Sequence, residues 1–170
     1  MDKLNRISQD IMLALGLNQD LLKLLYYKDK DVDLEELEDV DFEQVVNKNL
    51  FDYTYVPKTE SKADVYMSVT IDNMQKSNTK SGQSETVRQM DVVITIFSHY
   101  DVIKFYNGNR IMAIVDKIED IFTSANMENI LGKFNFSILK EITTVPDYSG
   151  YNLIFNINAI PDRVGRQGVW

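Results

Sequence analysis

Residues 87–98 read VRQMDVVITIFS. In an extended chain Met90, Val92, Ile94 and Ile96 fall on one face, and Val93, Thr95 and Phe97 fall on the other. A strand with one wet face alternates apolar with polar, whereas this one is apolar on both sides. It is therefore expected at the middle of a sheet, covered on both faces.

Working outward, residues 63–73 alternate as well: Val65, Met67, Val69 and Ile71 against Tyr66, Ser68 and Thr70. Between the two strands lies QKSNTKSGQSET, residues 75–86, with no apolar side chain. A tight hairpin needs only two turn residues, so this loop is expected to find its structure on a partner. On the other side, residues 107–126 carry Ile111, Ile114, Val115, Ile118 and Phe122 as one helical stripe with Ile121 beside it, and Asp116, Lys117, Glu119 and Asp120 as the wet side. Asn107 or Asn109 is placed to cap this helix. Two further strands follow, one through Phe134, Phe136 and Ile138, the other through Leu153, Phe155 and Ile157. VPDYSG, residues 145–150, supplies the turn between them.

Upstream, Leu4, Ile7, Ile11 and Leu15 give a first helix over residues 2–15, with Gly16 as its stop. Asn18 caps a short second helix holding Leu21, Leu22, Leu24 and Leu25. Residues 49–59 place Phe51, Tyr53 and Tyr55 at alternate positions before Pro57 and read as an extended lead into the sheet. The order predicts an α+β fold: a mainly antiparallel sheet of about four strands, helices on one face, and extended arms. Residues 1–160 form one domain on this reading, and 161–170, PDRVGRQGVW, an arm without a core pattern.

The chain has 170 residues and 44% hydrophobic content, enough for a real core. It has no cysteine, which excludes disulfides and thiolate chemistry, and one histidine, which excludes the usual zinc sites. The N-terminal stretch lacks the pattern of a signal peptide, and no run approaches the roughly 18 apolar residues of a membrane span. The net charge of −8 is concentrated in residues 29–43, DKDVDLEELEDVDFE, with nine acids and one lysine. No Lys and Arg cluster suits tight nucleic-acid binding, although an acidic surface suits a protein that borders DNA without holding it.

The acidic stretch invites comparison with a calcium loop, since Asp29, Asp31 and Asp33 occupy its first, third and fifth positions. Leu34 stands where the turn glycine belongs and Val40 where the bidentate glutamate belongs, so the pattern fails. It reads instead as a solvated face or a docking surface for a basic segment, either a short helix or an irregular arm spanning residues 29–48. Asp33 and Glu36 have capping-box spacing. His99, at a strand end, has no motif for a nucleophile or an orienting group around it and reads as structural. NGNR, residues 107–110, lacks the glycine spacing of a phosphate loop and reads as a turn and cap. Tyr26, Tyr27, Phe51, Tyr53 and Tyr55 suit core or interface better than a base-stacking platform. No catalytic, metal or cofactor site is assigned. The residues singled out are those suited to assembly: Lys76, Lys80 and Gln83 in the polar loop, Asp31, Asp33, Glu35 and Glu36 in the acidic arm, and Arg163, Arg166 and Trp170 in the tail.

The segments NRISQDIMLALGLNQDLLKLLYY, LFDYTYVP, ADVYMSVTI, MDVVITIFSHYDV and NGNRIMAIVDKIEDIF, in that order, resemble the neck proteins of tailed bacteriophages, called tail terminator, tail completion or head–tail joining proteins. The likeness spans residues 4–160 and is one of pattern, without an invariant signature. It implies a virion subunit, assembled in the host cytoplasm, that forms a ring, commonly a hexamer. That ring caps the tail tube and offers the filled head a docking surface. Its implied partners are further copies of itself, the tail tube protein and the head-side connector proteins, with DNA only passing through and no membrane. The acidic segment and the Arg163–Arg166 tail match nothing in that pattern. A cellular α+β ligand-binding or regulatory module is the alternative.

Overall fold

A computed structural model of the chain describes residues 3–31, 33–59, 62–76, 88–106, 108–124, 130–143 and 145–159. The strand read from residues 87–98 is β3 (Arg88–His99). On one side it pairs antiparallel with β2 (Val65–Lys76) and on the other with β7 (Tyr148–Ala159). Beyond β7 lies β6 (Ile130–Ile142), and beyond β2 the two-residue β1 (Leu50–Phe51), which runs parallel to it. The five-stranded order is thus β1-β2-β3-β7-β6, with β3 central as its two-sided apolar pattern requires. A separate two-stranded ladder joins β4 (Lys104–Phe105) to β5 (Gly108–Asn109).

Helices cover one face. They are α1 (Lys3–Gly16), α2 (Gln19–Tyr26), the single-turn α3 (Phe42–Val45) and α4 (Arg110–Ser124). The predicted stripe on α4 is buried at every position, from Ile111 to Phe122, and shares one core with Met67, Val69, Val92, Ile94, Leu153 and Phe155 of the sheet. Ile7, Ile11 and Leu15 of α1 join the same core, while the side chain of Leu4 lies outside the described residues. All four leucines of α2 are buried because it is wedged among α1, α3, α4 and β2. Asn18 caps α2 by accepting from the Leu21 N–H at 2.9 Å, and Asn109 caps α4 by accepting from the Ile111 N–H at 2.8 Å. Each fully buried Leu or Ile contributes about 1.5–3 kcal/mol to folding.

The far face carries a smaller cluster of Phe51, Tyr66, Phe97, Val145 and Tyr148. Tyr55 stacks on Phe51 with centroids 4.0 Å apart. The aromatics of residues 49–59 therefore seal the far side of the sheet at one end. Tyr26 and Tyr27 form a separate edge-to-face pair at the end of α2, so no common stacking platform exists among these five rings. The remainder of the far face is more open. Thr70, Val93 and Ile154 are half-buried there and Ile138 is exposed, and the register sets these four side by side across β2, β3, β7 and β6.

Three boundaries differ from the sequence reading. Gln75 and Lys76 belong to β2, paired with Gln89 and Arg88, so the polar loop is shorter than expected. The 145–150 turn gives way to β7 at Tyr148. In β6, Phe136 pairs with Phe155 but Ile138 pairs with the adjacent Ile154, so Ser137 is an extra residue in the ladder. That bulge turns Ile138 to the far face, away from Phe134 and Phe136, and breaks the expected single alternation.

Candidate functional site

Arg110 organises the end of the molecule from which the acidic segment starts. Its side chain is fully buried at the first position of α4. The guanidinium Nε donates to the Val102 carbonyl at 2.8 Å, Nη1 to the carbonyls of Leu24 at 3.0 Å and Tyr27 at 2.7 Å, and Nη2 to that of Asp29 at 2.7 Å. The Phe105 ring lies 4.9 Å from the guanidinium carbon. Orphan carbonyls at the end of α2 are thus satisfied by a cation at the negative end of that helix. Burial pulls the Arg110 pKa down to about 10, against the opposing pull of Asp29 and Asp64. Four of its five N–H donors are engaged by these carbonyls, so Asn109 and Arg110 build a cap and a clamp in place of an anion site.

Beside this clamp, Lys28 Nζ pairs with Asp64 and donates to the Leu25 carbonyl at 3.2 Å. Asp64 Oδ1 also accepts from Asn49 Nδ2 at 2.6 Å and from the Val65 N–H at 2.7 Å. Burial lowers the Lys28 pKa, with Asp64 opposing the shift. This network ties the end of α2 to the start of β2.

The acidic segment is bound to the body of the protein and takes a form between the short helix and the irregular arm expected, with two single helical turns in otherwise irregular backbone. Lys23, nearly buried, donates to the Leu34 carbonyl at 3.3 Å and pairs with Asp39 at 3.1 Å. Gln19 and the Val40 backbone exchange two hydrogen bonds, at 2.9 and 3.2 Å, and Val40 is buried in the core. Residues 34–36 make one 3-10 turn, capped by Asp33 through the Glu35 N–H at 3.2 Å. The capping-box partner is displaced to the next turn, where Gln44 Oε1 accepts from the Asp41 N–H at 3.0 Å. Asp31, Glu35 and Glu36 remain exposed and Asp33 half-exposed, as a docking face would need.

Of the other predicted assembly residues, Lys76 ends β2 opposite Arg88, and its side chain lies outside the described residues. Lys80, Gln83, Arg163, Arg166 and Trp170 lie outside them altogether. The register still fixes where their segments leave the body. Lys76 pairs with Arg88, Arg88 with Ala159, and Ala159 with Ile130, so loop 77–87 and tail 160–170 depart from one end of the sheet. The acidic segment starts at the other end, where Lys28 holds Asp64. The two ends are separated by the length of β2, about 36 Å at the usual strand rise.

His99 Nδ1 accepts from the Asp101 N–H at 3.1 Å, and its ring stands edge-on to Tyr148 at 5.1 Å. It shapes the turn after β3. Among the described residues no group of three His, Asp or Glu is placed to hold a metal, and no helix is long and apolar enough to cross a membrane.

The sheet edges carry surface that sequence reasoning missed. Among the described residues nothing pairs with the outer edge of β6, which exposes Phe136 by 47%, Ile138 by 48% and Leu139 by 36%. At the opposite edge, among the described residues, β1 covers β2 only at Met67 and Ser68. Past that point a groove of about 440 Å³ is lined by six consecutive β2 residues, 69–74, together with Asn5 and Ser8 of α1 and Asp52. Successive strand side chains point to opposite faces. Six in a row can line one groove only if its floor is the strand's backbone edge. Gly132, Asn135, Ser137, Lys133 and Lys140 are the local signals that mark β6 as an edge strand.

Such a molecule is an α+β protein whose sheet, among the described residues, has no strand partner along the outside of β6 and most of the outside of β2. The chain belongs to the YomW family, whose model matches residues 18–157. No curated protein matches it. Among solved structures it is similar to a chain of the virion of a native gene transfer agent particle, at a TM-score of 0.59 and 13% identity, over 90% of this chain and 93% of that one. At that identity the likeness is one of fold.

Proposed function

We propose that this protein is a structural subunit of a phage-type virion, and that it forms the neck ring that terminates the tail tube and joins tail to head. The carrying observation is the shared fold with a virion chain, which extends over nearly the whole length of both proteins. The features around that fold suit assembly better than catalysis. The cationic groups of Arg110 and Lys28 are engaged in holding backbone and Asp64. The groove beside β2 follows a strand edge and is an open trough. The acidic face is fixed in place and presented outward, which suits a channel wall that must pass DNA without retaining it.

Within this reading the tail of one subunit docks on the acidic segment of a neighbour. Arg166 is seven residues past Ala159 and reaches about 24 Å when fully extended. The start of the acidic segment is about 36 Å away along the same subunit, so the contact is one between subunits. The partners are further copies of the chain, the tail tube protein and the head-side connector.

Light scattering of the purified protein, with negative-stain images of the same sample, tests the proposal. Closed rings with a central hole, in solution or on added tail tubes, are the expected result. A protein that stays monomeric and ignores tail tubes would overturn it.

A further inference from the structure

The two sheet edges that lack a strand partner among the described residues are complementary. The β6 edge offers Phe136, Ile138 and Leu139 with exposed Lys133, Lys140 and Glu141. In the β2 groove nothing among the described residues pairs with the outer backbone edge at Val69 and Ile71, and the groove adds the half-buried side chain of Ile71, the exposed side chain of Met74, and exposed Asp52 and Asp72 on its rim. One surface is apolar with two cations and one anion, the other apolar with two anions. A self-pairing of β6 centred on residues 136 and 137 would instead set Lys133 of one copy opposite Lys140 of the other, an unfavourable cross-strand pair.

Direction agrees with charge. β2, β3, β7 and β6 alternate antiparallel, so β6 runs opposite to β2. A second copy rotated about an axis along the strands brings its β2 alongside β6 in antiparallel sense. The far-face row of Thr70, Val93, Ile154 and Ile138 would then continue from Ile138 of one copy to β2 of the next.

We infer that the β6 edge of each subunit docks in the β2 groove of a second copy, continuing the sheet from subunit to subunit. The inference rests on the assembly reading above and names the surface that performs it. The contact is heterologous: each copy uses both edges, and repetition closes a ring if the rotation allows. Strand addition also satisfies the backbone groups of an edge that would otherwise template indiscriminate pairing.

The absence of native cysteine makes the test clean. Single-cysteine chains carry Ile138→Cys or Lys140→Cys on β6, and Thr70→Cys or Asp72→Cys on β2. All four positions face the same side of the sheet. Adjacent strands set facing residues within disulfide range. One chain of each mixture bears a mass tag, and the products of mild oxidation are weighed. The expected result is a mixed disulfide between a β6 variant and a β2 variant, in excess over either homodimer. Ile138→Asp should weaken association at least tenfold and leave the melting temperature near that of the parent. Predominant β6–β6 disulfides would overturn the inference in favour of a two-fold edge. A multimer by scattering with no mixed disulfide would overturn it and leave the assembly reading standing. A monomer under every condition, tail tubes included, would overturn both.

Discussion

Arg110 Nη1 lies 3.0 Å from the carbonyl oxygen of Leu24, a residue 86 positions earlier in the chain. Through it the start of α4 grips the end of α2. Arg110→Lys keeps the charge but replaces a planar fork with a single ammonium, which cannot serve carbonyls of Val102, Leu24, Tyr27 and Asp29 together. The expected loss is about 2–4 kcal/mol in urea unfolding, and Arg110→Met, which leaves the acceptors without a donor, should be no better. Wild-type stability in the lysine variant would show that water replaces the fork.

Gly16 owes its place to Phe42 more than to helix termination. A Cβ at position 16 would sit 2.6 Å from the Phe42 ring, which packs against the core from α3. Gly16→Ala should destabilise by about 1–3 kcal/mol through overpacking. Adding Phe42→Leu should recover part of the loss, and a double variant no better than the single one would locate the clash elsewhere.

Tyr66 gives the fold an alkaline limit. Burial pushes its phenol pKa well above the ordinary value of 10, and Tyr148, Asp64 and Tyr55 add to the shift. A raised folded value means the stabilising contribution is complete below pH 10 and declines above it, as the unfolded chain ionises first. Tyr66→Phe should flatten stability against pH between 10 and 11.5, measured by denaturant titration. An unchanged slope would assign the alkaline loss to other groups.

Ending the chain after Ile160 removes Arg163, Arg166 and Trp170 and no described core residue. Thermal unfolding should stay within about 0.5 kcal/mol of the parent, while the mass in solution or the retention on tail tubes falls. Assembly at parental strength would dismiss the docking of the tail on the acidic segment.

The strands and helices that periodicity made legible are those whose partners lie at regular spacing. β3 and α4 each present an uninterrupted apolar pattern, and both lie where that pattern sends them. The bulge at Ser137 was illegible because one extra residue in a ladder alters pairing without altering composition. The clamp of Arg110 was illegible for another reason. Its acceptors are backbone carbonyls, which every residue carries, so nothing in the side chains of Leu24 or Val102 announces the contact. The hold on the acidic segment was hard to read because its charges outnumber its anchors. Val40, the Gln19 amide and Lys23 are enough to hold it down. The open edges were missed because an unpaired backbone leaves only indirect traces in the sequence.

The described ladder between β2 and β3 runs from Val65 and Ser98 to Lys76 and Arg88, the two residues that 77–87 connect. Closure entropy rises only by about 0.6 kcal/mol for each doubling of such a connection. Its length and wording are therefore nearly free of the fold. The chain holds, at one end of a fixed scaffold, a slot in which insertions and rewrites can accumulate. A lineage can change the sequence there and keep the same core.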